Sequence, residues 1–223
     1  RPLFLQFQAF TGCADVEPVK RLLQERRVEG VLYLDANDPA GIGVLLMSED
    51  PAWFTDAGRA LLTSPPFAAS QRRPELTMLG RTYSSGREAD LEDWLLRKPR
   101  RVALNREWPW AVWYPLRRKP EFATLPREEQ GKILAEHAKI GIAFGQAGFA
   151  ADIRLACHGL EANDNEFIAE LGADGGAEQQ RRVQPLGLAL GPKGLGAPGG
   201  RRQVQVGLGV GRIEGEGPLE GLD

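Results

Sequence analysis

The sequence predicts an α+β fold in which a ferredoxin-like half is followed by a second half that begins in the same order. Three observations predict it. Between Leu3 and Ser84, β-rich runs and amphipathic runs alternate as β-α-β-β-α-β, the split βαβ arrangement. The order β-α-β-β then restarts at Trp108. Beyond Leu171 the pattern stops: more than half of the 27 glycines lie there, and no Phe, Trp, Tyr, Cys, Met or His follows Phe167. The chain therefore divides into 1–98, 99–171 and a Gly-rich tail, 172–223, with too few apolar side chains to offset its ordering entropy.

Residues 3–10, Leu-Phe-Leu-Gln-Phe-Gln-Ala-Phe, are β-formers with partial alternation and make the first strand. Asp15 caps a helix to about Arg27, with Val16, Val19, Leu22 and Leu23 on one face. Gly-Val-Leu-Tyr-Leu-Asp and Ile-Gly-Val-Leu-Leu-Met read as strands around the polar turn Asn37–Gly41. A second helix spans about Pro51 to Leu62, and Glu75 to Ser84 is a strand. This first sheet is expected to carry helices on one face and leave the other free to bind something. Glu88 to Arg97 reads as a connecting helix that Pro99 stops. Trp108 to Leu116 is an aromatic strand, and Pro126, Glu128 and Glu129 open a long helix to about Phe144. Residues 151–160 and 165–170 are two strands around the acidic turn Glu161–Asp164.

Composition limits the function. Hydrophobic residues at 42% and charged residues at 26% describe a soluble globular chain. A net charge of −2 gives no case for nucleic acid, and the basic run Arg97 to Arg118 reads as a solvated face or an anionic-ligand rim. No apolar run reaches the roughly 20 residues of a membrane helix. Cys13 and Cys157 match no zinc or CxxC spacing, so free thiols in the cytoplasm are expected. The chain begins with Arg, which leaves a removed leader and export open. The Gly194–Gly199 match to GxGxxG is discounted, because no strand precedes it and Pro198 suits a helix badly.

Chemistry concentrates at His137 and Arg154. On the long helix Ile133, His137, Ile140 and Phe144 recur at three- and four-residue intervals, so the imidazole shares the apolar face. Two readings stand: a core histidine bonded to a carbonyl, or an axial ligand to haem iron on a flat apolar surface. In the following strand Ile153, Leu155 and Cys157 share one face, expected to pack on helices. Arg154, Ala156 and His158 share the other. Arg154 there is either a sheet-edge surface residue or a guanidinium waiting for an anion or carboxylate. His158 is a rival ligand at the strand end.

Together, Trp113-Tyr114-Pro115-Leu116-Arg117-Arg118, Leu125-Pro126-Arg127-Glu128-Glu129, Glu136-His137 with Ile140-Gly141, and Arg154 through His158-Gly159-Leu160 to Phe167 resemble the chlorite dismutase family. That superfamily also contains the coproheme decarboxylases of haem synthesis. The resemblance covers about residues 3–171. It implies a dimeric α+β barrel of two ferredoxin-like halves with haem b in the second, and a homo-oligomer, whether dimer, pentamer or hexamer. It implies His137 as proximal iron ligand and Arg154 as distal catalyst. Tyr114 falls near the haem propionates, and Tyr83, Arg118, Phe122 and Ile140 fall on haem-lining positions.

Arg at the distal position implies a small anionic substrate, with decomposition of chlorite to chloride and O₂, or peroxidase activity. Tyr114 suits the alternative, oxidative decarboxylation with coproheme as substrate; a non-enzymatic haem-binding protein is the third expectation. Two departures from the family pattern stand out. The interval from His137 to Arg154 is lengthened around Gly145 to Gly148. The closing helix and strand, with the acidic partner of the proximal His, have no counterpart in 172–223, as a reading-frame slip or a diverged tail would produce.

Overall fold

In the computed structural model the described residues are 1–173, apart from 87, 106, 107, 109, 161 and 164. The tail expected from residue 172 lies outside them, except that the last strand takes in 172 and 173; so do Glu161 and Asp164 of the acidic turn.

Strand β1 (Phe4–Thr11) leads to helix α1 (Glu17–Glu25), then β2 (Gly30–Leu34) and β3 (Ile42–Ser48). A 3₁₀ turn at Pro51–Phe54 precedes α2 (Ala57–Leu62) and β4 (Gln71–Thr82). After a connecting helix come α3 (Lys98–Ala103), β5 (Trp110–Leu116), α4 (Pro120–Thr124), α5 (Arg127–Gln146), β6 (Ala150–Ala156) and β7 (Phe167–Ala173). All seven strands form one antiparallel sheet ordered β2-β3-β1-β4-β6-β7-β5. Its first four places are the ferredoxin-like order, and the last three repeat that order without a fourth strand among the described residues.

The sheet curls. β5 stands four places from β1, which in a flat sheet would be about 19 Å. Yet the Trp113 and Phe7 rings stack 5.4 Å apart. Leu5, Phe7, Leu45, Met78, Trp113, Ile153, Leu155 and Ile168 fill the interior, each at most 3% exposed. A second core, Phe10, Val19, Ile42, Val44, Leu46, Leu61 and Phe67, lies under α1 and α2. Both faces of β2 and β3 are thus buried, which explains their unbroken apolar runs. This corrects the expected free face of the first half: the second half covers it. The seam between halves is short, only Arg81↔Ala156 and Thr82↔Leu155. Gly80 permits it, since a Cβ there would lie 2.6 Å from Leu155 Cβ.

The expectation that Pro99 stops the connecting helix is also corrected. A π-helical turn, Asp93–Arg97, runs directly into α3, with Pro99 in its first turn. Proline brings no N–H to the carbonyl four residues back. That carbonyl, Leu95 O, instead accepts from Thr82 Oγ1 at 2.9 Å, and the same hydroxyl accepts from Leu3 N at 2.9 Å. The helix survives its proline because a buried threonine of β4 replaces the missing donor. Arg100 then ties α3 to Glu29, and to Glu49 at 3.2 Å.

Candidate functional site

Residues opposite one another in an antiparallel ladder share a face. Arg154 pairs with Ala169, and Ala169 with Tyr114, so Arg154, Ala169 and Tyr114 form one row across β6, β7 and β5. The next row is Ala156, Phe167 and Leu116. Because Ile153, Leu155, Ile168 and Trp113 point into the barrel, these rows stand on its outside. The apolar side of β6 packs on one helix, α3, as expected of it, and also on the other strands of the curled sheet. Ala169 keeps the middle of the first row low, whereas Phe167 fills the middle of the second.

Arg154 is 49% exposed and paired: its Nε lies 2.8 Å from Asp152 Oδ2. The other carboxylate oxygen lies 3.4 Å from Lys98 Nζ. Trp94, on the π-helical turn, completes this corner. Its indole N–H donates to Tyr83 O at 3.0 Å, Lys98 Nζ sits 4.2 Å from the ring centroid, and the Arg154 guanidinium carbon 5.4 Å. These groups and Thr82, Pro99 and Ile153 line a small cleft. Tyr114 is half-buried, and that burial is the main reason its hydroxyl titrates above the usual tyrosine range. The Asp152 carboxylate pushes the same way and Arg154 opposes it, so the three groups feel one another.

One row along, Phe167 gathers three of the residues singled out in the sequence. Tyr83 lies 5.7 Å from its ring, and Arg118 is 4.8 Å from Phe167 and 5.4 Å from Phe122. Arg118 Nε is 3.1 Å from Glu166 Oε1, and its backbone N–H donates to Glu166 Oε2 at 3.0 Å. His158, exposed with φ +22°, sets its ring edge-on to Phe167 at 5.5 Å, beside these aromatics and away from α5.

His137 is on α5 as expected, but it is not a core histidine. No residue of α5 is buried; Ile133 is 48% and Ile140 38% exposed, and the contacts fixing the helix are at its ends. Phe144 meets Phe149 at 6.2 Å, and Gln130 donates to Leu125 O at 2.8 Å. Among the described residues nothing buries the apolar stripe carrying His137, and none hydrogen-bonds its imidazole. α5 adds nothing to the barrel core and so lies outside it. The turn at Ala147–Phe149, with Gly148 at φ +72°, sends the chain back along the sheet. His137 is nine residues before the helix end, about 13 Å at helical rise. Arg154 is four residues into β6, about 13 Å at strand rise.

Asp152, Lys98, Trp94 and Phe167 escaped sequence reasoning as site residues. Asp152 had a signal, since two residues before Arg154 on a strand means the same face. Trp94 and Lys98 had none, because the π turn that presents them was not legible.

No protein in a curated set matches the chain. A model of the family described as chlorite dismutase matches residues 26–185. Among solved structures, a variant chlorite dismutase from Candidatus Nitrospira defluvii in complex with cyanide is similar, with TM-score 0.63 and 13% identity over 95% of this chain and 91% of that one. A heme-binding protein from Thermus thermophilus gives TM-score 0.62 and 14% identity over 96% and 88%. The Nitrospira enzyme in complex with imidazole gives 0.59 and 13% over 82% and 81%. At these identities the likeness is one of fold, and with the family match over most of the sequence it establishes that this chain belongs to the chlorite dismutase family.

Proposed function

We propose that this chain is a haem b-dependent oxidoreductase acting on a small oxidant, chlorite or peroxide, with His137 on the iron and Arg154 over the opposite face. The observation that carries the reading is the arrangement of two unfinished surfaces: an outward, half-exposed Arg154 beside the small Ala169, and a helix whose apolar stripe, with His137 on it, is covered by no described residue. The residues fit the cofactor. Ile133 and Ile140 give apolar area, and a Cβ at Gly141, one turn from His137, would touch nothing within 4 Å. A glycine inside a helix costs about 1 kcal/mol of propensity, so an open space beside it suits a flat ligand. Tyr83, Arg118 and Phe122 already lie together and suit the cofactor's edge, where Arg118 has donors beyond those given to Glu166.

When bound, haem supplies redox chemistry at iron. The chain supplies charge and orientation. The Arg154 guanidinium offers paired N–H groups that match an oxyanion. Its partial exposure lets a small anion arrive from water. Tyr114, protonated at neutral pH, is a hydrogen-bond donor in the same row as Arg154.

That protonated, half-buried phenol beside the arginine favours a second reading, oxidative decarboxylation of coproheme. Tyr114→Phe separates the two, abolishing decarboxylation while sparing chlorite turnover. A homo-oligomer is part of the proposal on the family's precedent. Haem titration followed by oxygen evolution from chlorite tests the main reading. A Soret band lost in His137→Ala and kept in Arg154→Ala, with oxygen evolution lost in both, is expected; no Soret band in the unaltered chain refutes it.

A further inference from the structure

Asp152 and Arg154 alternate with Ile153 on β6, so both stand on the outer face. The carboxylate is shared between two cations: Oδ2 is 2.8 Å from Arg154 Nε and Oδ1 3.4 Å from Lys98 Nζ. Both cations also lie over the Trp94 ring, which its indole N–H pins to the Tyr83 carbonyl at 3.0 Å. The guanidinium is therefore ion-paired at its Nε side with a carboxylate and lies over an indole. Among the described residues nothing bonds its two terminal nitrogens.

We propose that Asp152 is a positioning residue: it orients the Arg154 guanidinium so that the two terminal nitrogens are presented to an incoming anion. The inference deepens the haem-site reading and rests on it for the identity of the anion. An unheld arginine chain samples many rotamers and must be frozen when its ligand arrives; one held at Nε has been frozen in advance. Lys98 matters to the balance. Two cations against one carboxylate leave the corner net positive, so Asp152 orients the guanidinium without cancelling its attraction for an anion.

Two substitutions separate orientation from charge. Asp152→Asn keeps an acceptor and loses the charge, whereas Asp152→Ala loses both. Azide titrated into the haem-loaded chain and followed at the Soret band is expected to bind D152N roughly two- to fivefold more tightly than D152A, the scale of an exposed held pair. The two variants should bind azide equally in an Arg154→Ala background. The second readout needs no cofactor: ultraviolet titration of the haem-free chain, with Tyr114 obtained by difference from Tyr114→Phe. Tyr114 should titrate lower in D152N than in D152A, because only the held guanidinium stays beside the phenol. Equal Tyr114 titrations overturn the proposal, as does an azide difference that survives removal of Arg154. A chain that takes up no haem removes the cofactor reading, while the tyrosine titration still decides for or against Asp152.

Discussion

Replacing Gly141 by Ala tests whether the bare stripe of α5 is built for a flat ligand. Two opposed effects come from one methyl. In a helix interior Ala is favoured over Gly by about 1 kcal/mol, a factor of about five in a local equilibrium. Nothing in the structure resists it, since a Cβ at Gly141 has open space around it. The haem-free variant should therefore show amide exchange along α5 slowed by up to about fivefold, with no loss of global stability. A better-formed helix would by itself tighten haem binding by a similar factor. Gly141, however, stands about 40° around the helix from His137. A methyl there meets a macrocycle lying on the stripe, and overpacking costs about 1–3 kcal/mol, a loss of about five- to 150-fold before the propensity gain is set against it. Gly131 is the control, equally open but about 120° from His137. Soret titrations should give weaker haem binding for Gly141→Ala and unchanged or tighter binding for Gly131→Ala. If both alanines tighten binding alike, no ligand lies against this face and the assignment of His137 fails.

Gly80→Val should lower the melting temperature through about 1–3 kcal/mol of overpacking, because its Cβ would lie 2.6 Å from Leu155 Cβ at the two-pair seam between the halves. Trp113→Ala should cost about 3–5 kcal/mol in denaturant unfolding, since the ring is 1% exposed and stacks on Phe7. The Tyr114 pKa is raised in the fold, so its contribution to stability is complete below the unfolded-chain value of about 10 and is lost as pH climbs through the folded value. Unfolding curves should accordingly show an alkaline loss in the wild-type chain that Tyr114→Phe lacks; parallel curves in that range contradict the burial of the hydroxyl. Thr82→Val removes the donor to Leu95 O and the acceptor for Leu3 N, one part-buried and one buried bond, and the buried loss alone leaves its partner unsatisfied at about 1–3 kcal/mol in denaturant unfolding.

What the sequence disclosed and what it hid follow from the range of the forces involved. Elements set by local periodicity were legible. The seven strands and the helix bearing His137 fall close to where alternation and three- and four-residue spacing put them, and strand alternation alone gave Arg154 its face. Hidden were the features decided between distant segments. Pro99 reads locally as a helix stop, but the carbonyl it leaves without an N–H accepts from a threonine hydroxyl of β4. That turn sets Trp94 and Lys98 against Arg154, so the surroundings of the site's central cation were written in a contact between Thr82 and Leu95, on separate elements of the chain. The apolar stripe of α5 misled in the opposite direction. Periodicity reports that a face avoids water, but does not tell whether protein or a ligand will cover it. On α1 the same pattern meets a core; on α5 no described residue covers it, and His137 lies on that stripe. The difference between those two helices is the strongest structural argument that the second half of this barrel is completed by something other than its own described side chains.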